Sequence, residues 1–226
     1  MDSYQAIHDR AAKFHGGGDA LDALLPKPLA PDELKAIPDD RWLAEMTKRI
    51  FRAGFSWKVI EDKWPNFEAT FDGFDPHKNA IKSDDDLSAL LQDKGIVRNW
   101  EKIKSVRSNA LLILELAKES GSAGAFFADW PDDDVVGLWD MMKKRGSRLG
   151  GTSGAYVLRG IGRDTLVFST DVEKALAGQG VVEKADKAPT SKAAMRDVQD
   201  AFNARRAESG RSLSEISRTL SCSIGP

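Results

Sequence analysis

The sequence predicts an all-α fold. Apolar residues recur at three- and four-residue intervals over most of the 226 residues, which is the period of an amphipathic helix. Residues that start helices, such as Ser212, and glycines that end them, such as Gly121, stand at the ends of these periodic segments. Only residues 165–168 look like a strand, and four residues are too few to found a sheet.

The predicted helices follow one another along the chain. The acidic pair Asp39 and Asp40 caps the first strongly periodic helix, which carries apolar residues from 43 to 51. The next helix starts near Trp57 and is expected to stop before Pro65, since proline removes a backbone donor. Further helices are expected at 83–95, 99–121, 132–146, 153–161, around 195–202 and from 212 to 220, with long loops near 15–38 and 177–189.

Composition describes a soluble globular protein. Hydrophobic residues make up 41% and charged residues 30%, and the net charge is -2. The single cysteine, Cys222, excludes an internal disulfide and a cysteine-based zinc cluster. The N-terminal residues lack the apolar core of a signal peptide, and no apolar run has the length of a membrane helix. We therefore expect a cytoplasmic protein without a membrane partner.

Positive charge is concentrated between Met141 and Arg163. This stretch holds six Lys or Arg residues and no Asp or Glu, and it surrounds the sequence 149–152, Leu-Gly-Gly-Thr. Two glycines in a tight turn let the backbone approach a phosphate, and the next helix offers N–H donors. The pattern therefore favours phosphate binding. A helix that ends at Gly146 beside a solvated basic face is an equally good interpretation of these residues alone.

Several motifs in order resemble one enzyme family. They are Ala53-Gly54-Phe55-Ser56-Trp57, Phe67, Phe71, Phe74-Asp75-Pro76, Gly95-Ile96-Val97-Arg98, Lys102-Ile103, Asn109-Ala110, Lys143-Lys144-Arg145-Gly146 and Gly151-Thr152. From about Arg41 to Ile161 the chain thus resembles the DNA-3-methyladenine glycosylase I family of the helix-hairpin-helix glycosylases. The resemblance implies one domain over 1–226, a two-lobed helical bundle in which about 50–165 form the hairpin lobe and both terminal segments form the other.

The resemblance also implies an activity and a set of site residues. The enzyme would act as a monomer on double-stranded DNA, flip a damaged base into a pocket and hydrolyse its N-glycosidic bond without a cofactor. Trp57 would stack on the base, and Gly54 and Phe55 would enter the gap it leaves. A core tryptophan on a helix is the alternative for Trp57, against which the Ala-Gly-Phe-Ser-Trp context argues, and Phe55 could equally be buried core. The implied DNA-binding residues are Lys143, Lys144, Arg148, Gly150, Gly151, Thr152 and Ser153.

The sequence departs from the family pattern at its zinc site and in its base pocket. The family's zinc site has two cysteines and two histidines, and only His8 has a counterpart here, so no metal is expected. The base-recognising glutamate falls at Arg49, which cannot accept a hydrogen bond from an exocyclic amino group. The pocket tyrosine falls at Ile7, while Glu45 lies one helical turn before Arg49 and could reach the same pocket.

Asp171 is the candidate catalytic residue. Residues 155–160 and 168–171 resemble the wider superfamily, including the alkylation-repair glycosylase II type, in which an aspartate at this position is catalytic. A carboxylate suits the reaction, because loss of the base leaves an oxocarbenium-like sugar that an anion stabilises. We expect Asp171 at the mouth of a pocket that includes Trp57. The alternative role, an N-cap for the helix from Val172 to Leu176, is compatible with catalysis.

The sequence therefore predicts a monofunctional glycosylase that removes alkylated, 3-methyladenine-like bases. A relative that binds DNA but has lost catalysis or changed its specificity is the alternative, and Arg49 favours it whereas Asp171 opposes it. A helical scaffold without nucleic acid would leave the basic stretch at 141–163 unexplained.

Overall fold

The computed structural model describes residues 1–183 and 191–225. These residues form helices and no strand, so the predicted all-α class is confirmed. Within the same residues no helix is both long enough and apolar enough to cross a membrane. The helices are α1 (Tyr4–Phe14), α2 (Gly18–Asp22), α3 (Pro31–Lys35), α4 (Asp39–Arg52), α5 (Trp57–Thr70), α6 (Pro76–Ala80), α7 (Asp84–Ala89), α8 (Trp100–Ser120), α9 (Ala123–Asp129), α10 (Val135–Arg145), α11 (Ser153–Ile161), α12 (Thr170–Ala177), α13 (Lys192–Ser209) and α14 (Leu213–Cys222).

The chain divides into two compact units. The terminal unit comprises Met1–Leu29, Pro131–Gly137 and Asp164–Pro226, and the central unit comprises Ala30–Trp130 and Leu138–Arg163. Helix α10 begins in the terminal unit and continues into the central one. The two units are described separately below.

An aromatic core organises the central unit. Helix α4 packs on α8 and α11, and its buried Trp42 stacks on Phe127 of α9 with ring centroids 4.4 Å apart. A second aromatic group lies in and just after α5, where the Trp64 ring stacks on those of Phe67 and Phe74. Such rings bury large apolar areas, so they fix the position of α4, the helix that carries Glu45 and Arg49.

Ion pairs join the two ends of the chain in the terminal unit, where α1 packs on α14. Arg211 donates hydrogen bonds to Asp22 at 2.7 Å and to Glu215 at 3.0 Å. Burial alone would raise the pKa of Asp22, but the hydrogen bonds from Arg211 and His8 hold that pKa below its usual value. The same ion pairs hold the pKa of Arg211 above its usual range. Both carboxylates are therefore ionised at neutral pH and tie α14 to the N-terminal segment.

Several local predictions need correction. Helix α5 runs through Pro65 to Thr70, because Trp64 and Phe67 on either side of the proline belong to the aromatic core. The helix expected over 83–95 ends at Ala89 and continues only as a short 3-10 turn. The predicted loop at 15–38 contains the short helices α2 and α3. Residues 184–189 of the other predicted loop lie outside the described residues.

The segment 165–168 is extended but pairs with no strand. Its backbone is held by the side chains of α14 instead: the N–H of Val167 donates to Ser217 Oγ at 3.0 Å, and that hydroxyl donates back to the Val167 carbonyl at 3.1 Å. Ser214 makes the same pair of bonds with Thr165. Serine hydroxyls thus satisfy the buried backbone that a sheet would otherwise satisfy, and they fix the chain just before Asp171.

Candidate functional site

The glycine turn at residues 149–152, hereafter the hairpin, joins α10 to α11. Gly151 has a φ of +60° and is exposed, and Leu149 anchors the turn with a buried side chain. A Cβ on Gly154 would lie 2.9 Å from the Leu149 carbonyl oxygen, so the first turn of α11 requires glycine there. Helix α10 ends at Arg145, and a tight glycine turn follows it, so the two interpretations of the sequence do not exclude each other.

Asn109 of α8 fixes the approach to the hairpin. Its side chain accepts a hydrogen bond from the Ser147 N–H at 2.8 Å and donates one to the Ser147 carbonyl at 3.1 Å. Asn109 itself is fully buried. A buried amide that satisfies both groups of one residue holds that backbone rigidly, so the hairpin is a preformed feature of the central unit.

The hairpin presents unused donors. No side chain caps α11. Across the described part of the chain, no acceptor is found for the backbone N–H groups of Gly151, Thr152 and Gly154, whereas the Ser153 N–H reaches the Gly150 carbonyl at 3.3 Å. Free N–H groups at a helix N-terminus attract anions, and the helix dipole adds to that attraction. The hairpin can therefore bind a phosphate group through its backbone.

Cations surround these donors unequally. Lys143 and Arg148 are exposed and form no ion pair with any described residue. Lys144 pairs with Asp140 at 2.6 Å, and Arg145 pairs with Glu115 and Glu119. Of these four cations, Lys143 and Arg148 have charge that is available for a ligand, whereas the charge of Arg145 is neutralised by Glu115 and Glu119.

Seven consecutive residues, 53–59, are exposed; they span the turn after α4 and the first residues of α5, and we call them the exposed segment. Gly54 has a φ of +77°, and a Cβ there would meet no atom within 4 Å. Phe55 is 41% exposed and Trp57 is 55% exposed. Neither ring is a core residue, which removes the alternative that the sequence left open for each. Two aromatic side chains in solvent next to a positive-φ glycine are suited to stacking on a ligand.

Lys102 holds the backbone where the exposed segment begins. This buried lysine of α8 donates hydrogen bonds to the carbonyl oxygens of Phe51 at 3.2 Å and Ala53 at 2.5 Å, which are at the C-terminal end of α4. Its ammonium lies 4.5 Å from the centroid of the Phe55 ring. Burial, with a smaller contribution from Arg148, lowers the pKa of Lys102 to about 8. Lys102 therefore fixes the chain at the base of the exposed segment.

The guanidinium of Arg49, on α4, lies near the rings of Tyr156 and Trp57. Its guanidinium carbon is 3.9 Å from the centroid of the Tyr156 ring and 5.9 Å from that of Trp57. Burial lowers the pKa of Arg49, although an arginine stays protonated at any physiological pH. Arg52 covers the Trp57 ring more closely, at 4.8 Å. Cation–π contacts thus hold both arginines around the exposed tryptophan.

Glu45 faces α11 one turn before Arg49. A Cβ on Gly160 would overlap the Glu45 carboxylate, so the two are in direct contact. Burial raises the pKa of Glu45, and the nearby cations Arg52, Lys48 and Arg49 reduce that shift. The structure thus brings Glu45, Arg49 and Trp57 together in the central unit.

Asp171 and Ile7 belong to the terminal unit. Asp171 is the second residue of α12, its side chain is 49% exposed, and its carboxylate lies 3.6 Å from Lys174 Nζ. Ser169, not Asp171, caps the helix by accepting from the Val172 N–H at 3.3 Å. Asp171 is accordingly free of the capping role that we considered for it. Ile7 is 1% exposed and lies on the buried face of α1.

The residues around His8 do not fit the family's zinc site. His8 Nε2 is 3.1 Å from Asp22 Oδ1, and Asp22 also pairs with the guanidinium of Arg211, which would repel a metal cation. The described residues include no cluster of three His, Cys, Asp or Glu side chains that could hold a metal. We predict less than stoichiometric zinc in elemental analysis of the purified protein; one zinc per chain would contradict this.

Three contributors had no role assigned from the sequence. Tyr156 stacks on Arg49, Arg52 lies over Trp57, and Lys102 holds the end of α4. The sequence does hint that Lys102 is buried, because this lysine directly precedes Ile103, where the apolar stripe of α8 begins. Arg52 and Tyr156 gave no comparable signal, because their contacts depend on how α4 packs against α5 and α11.

The model of the family described as methyladenine glycosylase matches residues 36–149. Over 91 residues the chain is 38% identical to DNA-3-methyladenine glycosylase 1 of Escherichia coli strain K12, covering 36% of this chain and 49% of that protein. Over 79 residues it is 30% identical to DNA-3-methyladenine glycosylase of Haemophilus influenzae, covering 35% of this chain and 40% of that protein. The matches thus span half or less of each relative's length.

Solved structures extend the fold similarity to almost the whole chain. A 3-methyladenine DNA glycosylase I from Staphylococcus aureus aligns with a TM-score of 0.51 at 18% identity, covering 69% of this chain and 91% of that one. An 8-oxoguanine DNA glycosylase from Methanocaldococcus jannaschii aligns with a TM-score of 0.58 at 13% identity, covering 96% of this chain and 92% of that one. At these identities the alignments establish the fold.

Proposed function

The chain belongs to the methyladenine glycosylase family, and we propose that it removes alkylated bases from double-stranded DNA by hydrolysing the N-glycosidic bond. The observation that carries this proposal is the exposed segment, in which Trp57 stands in solvent beside Arg49 and Arg52. An enzyme that works on a flipped nucleotide needs an aromatic surface that can stack on the base.

The hairpin supplies sequence-independent affinity in this proposal. Its backbone N–H groups bind one phosphate, and Lys143 and Arg148 add charge without reading base edges. Among the proteins of similar fold, an 8-oxoguanine glycosylase/lyase has been solved with a 15-mer DNA. We propose the same type of partner, duplex DNA with a damaged base, for a monomer of this chain.

Asp171 performs the chemical step in this proposal. The base leaves with the electron pair of the glycosidic bond, and the sugar acquires oxocarbenium character. The Asp171 carboxylate stabilises that positive charge, and water then adds to the anomeric carbon and loses a proton to solvent. No lysine nucleophile stands in the hairpin, so the reaction ends with an abasic site and a free base.

Base release tests the proposed activity directly. The protein is incubated with a methylated duplex, and the supernatant is analysed by chromatography for free bases. We expect a time-dependent release of methylated purine and retention of normal bases. A protein that binds the duplex but releases no base would be the non-enzymatic relative, for which Arg49 is the sequence argument.

Charge reversal at Lys143 and Arg148 should weaken binding to every duplex. Four units of charge change next to the phosphate donors, and the slope of log affinity against log salt should fall by about 2. The change is measured by fluorescence anisotropy over a range of salt concentrations. Lys13→Glu with Lys27→Glu alters the net charge equally at two exposed sites of the terminal unit and is the matched control. Equal affinities for the two double variants would rule out the hairpin as the DNA contact.

A further inference from the structure

Arg49 is the cation of α4 that the protein leaves without a polar partner. Within residues 1–183 and 191–225, its side chain makes no hydrogen bond and no ion pair, and its Nε is inaccessible to solvent. Its neighbours differ: Lys48 and Arg52 both pair with Glu61 of α5. The nearest carboxylate on its own helix, Glu45, does not pair with it either. A buried Nε without an acceptor costs free energy, and the other N–H donors of Arg49 are not used by any described residue, so they are available to a ligand.

The Arg49 side chain is held in place although it makes no hydrogen bond to any described residue. The Tyr156 ring lies 3.9 Å from the guanidinium carbon, and the Trp57 ring lies 5.9 Å from it. Contacts with two rings restrain the planar group without consuming its N–H donors. The result is a set of oriented donors beside an exposed aromatic surface.

The chemistry of a guanidinium limits what it can bind. Arginine has five N–H donors and no acceptor, so it pairs with oxygen or ring-nitrogen acceptors and not with an amino group. Two such acceptors lie side by side on a purine that carries a carbonyl oxygen at position 6, namely O6 and N7. An adenine-type base replaces O6 by an amino group, which would place donors against donors.

A phosphodiester oxygen is the other possible acceptor. Lys143 and Arg148, which are exposed and form no ion pair with any described residue, lie beside the hairpin donors, where a phosphate fits. Arg49 is instead half-buried against Tyr156 and adjacent to the ring that stacks on a base in the proposed function. Its surroundings therefore favour a base edge over a phosphate.

We propose that Arg49 is a specificity-determining residue that selects alkylated purines with a carbonyl oxygen at position 6, such as 3-methylguanine, over 3-methyladenine. This inference rests on the proposed function for its site. The proposed substrate class differs from the 3-methyladenine that appears in the names of the two relatives. Asp171 and the hairpin keep the roles proposed above, because neither contacts the base edge in this scheme.

The matched pair 3-methylguanine and 3-methyladenine gives the sharpest test, since both lesions arise in one methylated duplex and carry the methyl group at the same ring position. We expect the parent protein to release 3-methylguanine at least about tenfold faster in single turnover, relative to the amount of each lesion. Arg49→Glu provides acceptors instead of donors and should reverse this ratio. Arg49→Lys keeps the charge without the planar fork and should bring the ratio near unity.

Arg107→Met is the control, because this arginine of α8 is paired with Asp84 and the Lys82 carbonyl away from the site. It should leave the release ratio unchanged. Thermal unfolding of each variant shows whether it is folded. A parent that releases 3-methyladenine faster, or an unchanged ratio in folded Arg49→Glu and Arg49→Lys, would overturn the inference.

Two further arms separate the remaining outcomes. If Arg49→Lys and Arg49→Glu weaken binding to undamaged duplex and leave the ratio unchanged, Arg49 contacts a phosphate and the inference is wrong. If the parent releases no base at all, the proposed function fails, and NMR line broadening of the methyl group of each free base then tests the inference alone. Preferential broadening of 3-methylguanine that disappears in Arg49→Glu would support it, and equal broadening of both bases would overturn it.

Discussion

The Asp171→Asn variant should keep the duplex affinity of the parent protein and lose base release by about 10²–10³-fold in single turnover. Asparagine matches aspartate in size, and Ser169 rather than Asp171 caps α12, so we expect the helix to form unchanged. The variant removes a negative charge that matters only when the sugar becomes positive. A loss confined to the rate, without a loss of affinity, is the signature of an interaction made in the transition state.

Lys174→Gln is the control for this variant. Lys174 lies 3.6 Å from the Asp171 carboxylate, so both changes remove the same exposed ion pair, but only Asp171→Asn removes the carboxylate. Lys174→Gln should therefore release bases at about the parent rate. Equal losses in both variants would point to the ion pair and away from catalysis, and parent-like release by Asp171→Asn would end the proposal for Asp171.

The helical fold could be predicted because its signals are local. The Ser212–Glu215 capping box, the cap at Asn99 and the stop at Gly146 each depend on residues within one turn, and each marks a helix end in the structure. Pro65 misled for the opposite reason. Its local rule, a helix break, is overridden by the burial of Trp64 and Phe67 in a core built from several elements.

In the candidate site, too, local features could be predicted from the sequence, whereas features that depend on packing between distant elements could not. The glycines of the hairpin and Trp57 could be found by motif, since their chemistry needs particular residues at fixed spacing. The environment of Arg49 could not be predicted from the sequence. The ring that contacts it belongs to Tyr156, 107 positions later, and the nearby Glu61 pairs with Lys48 and Arg52 instead. A substitution that is visible in sequence thus acquires a chemical meaning only from the packing of α4 against α5 and α11.

Trp57→Ala should weaken capture of the flipped base while leaving binding to undamaged duplex intact. Stacking is worth about 1–3 kcal/mol per base, so we expect base release at limiting protein concentration to fall by about 5–150-fold. The ring is 55% exposed, and its removal opens no core cavity, so the stability of the fold should change little. Single-turnover rates measured over a series of protein concentrations separate weaker capture from slower chemistry.

Two companion variants define what the Trp57 ring supplies. Trp57→Phe keeps an aromatic face and should retain most of the release, whereas a loss as large as that of alanine would mean that the indole N–H or the contact with Arg52 matters more than stacking. Val59→Ala removes another exposed apolar side chain two residues further along α5 and should have no effect. Because Trp57 and Val59 share the exposed segment, parent-like release by Trp57→Ala would show that the flipped base stacks elsewhere, and the role of the exposed segment in base capture would have to be abandoned.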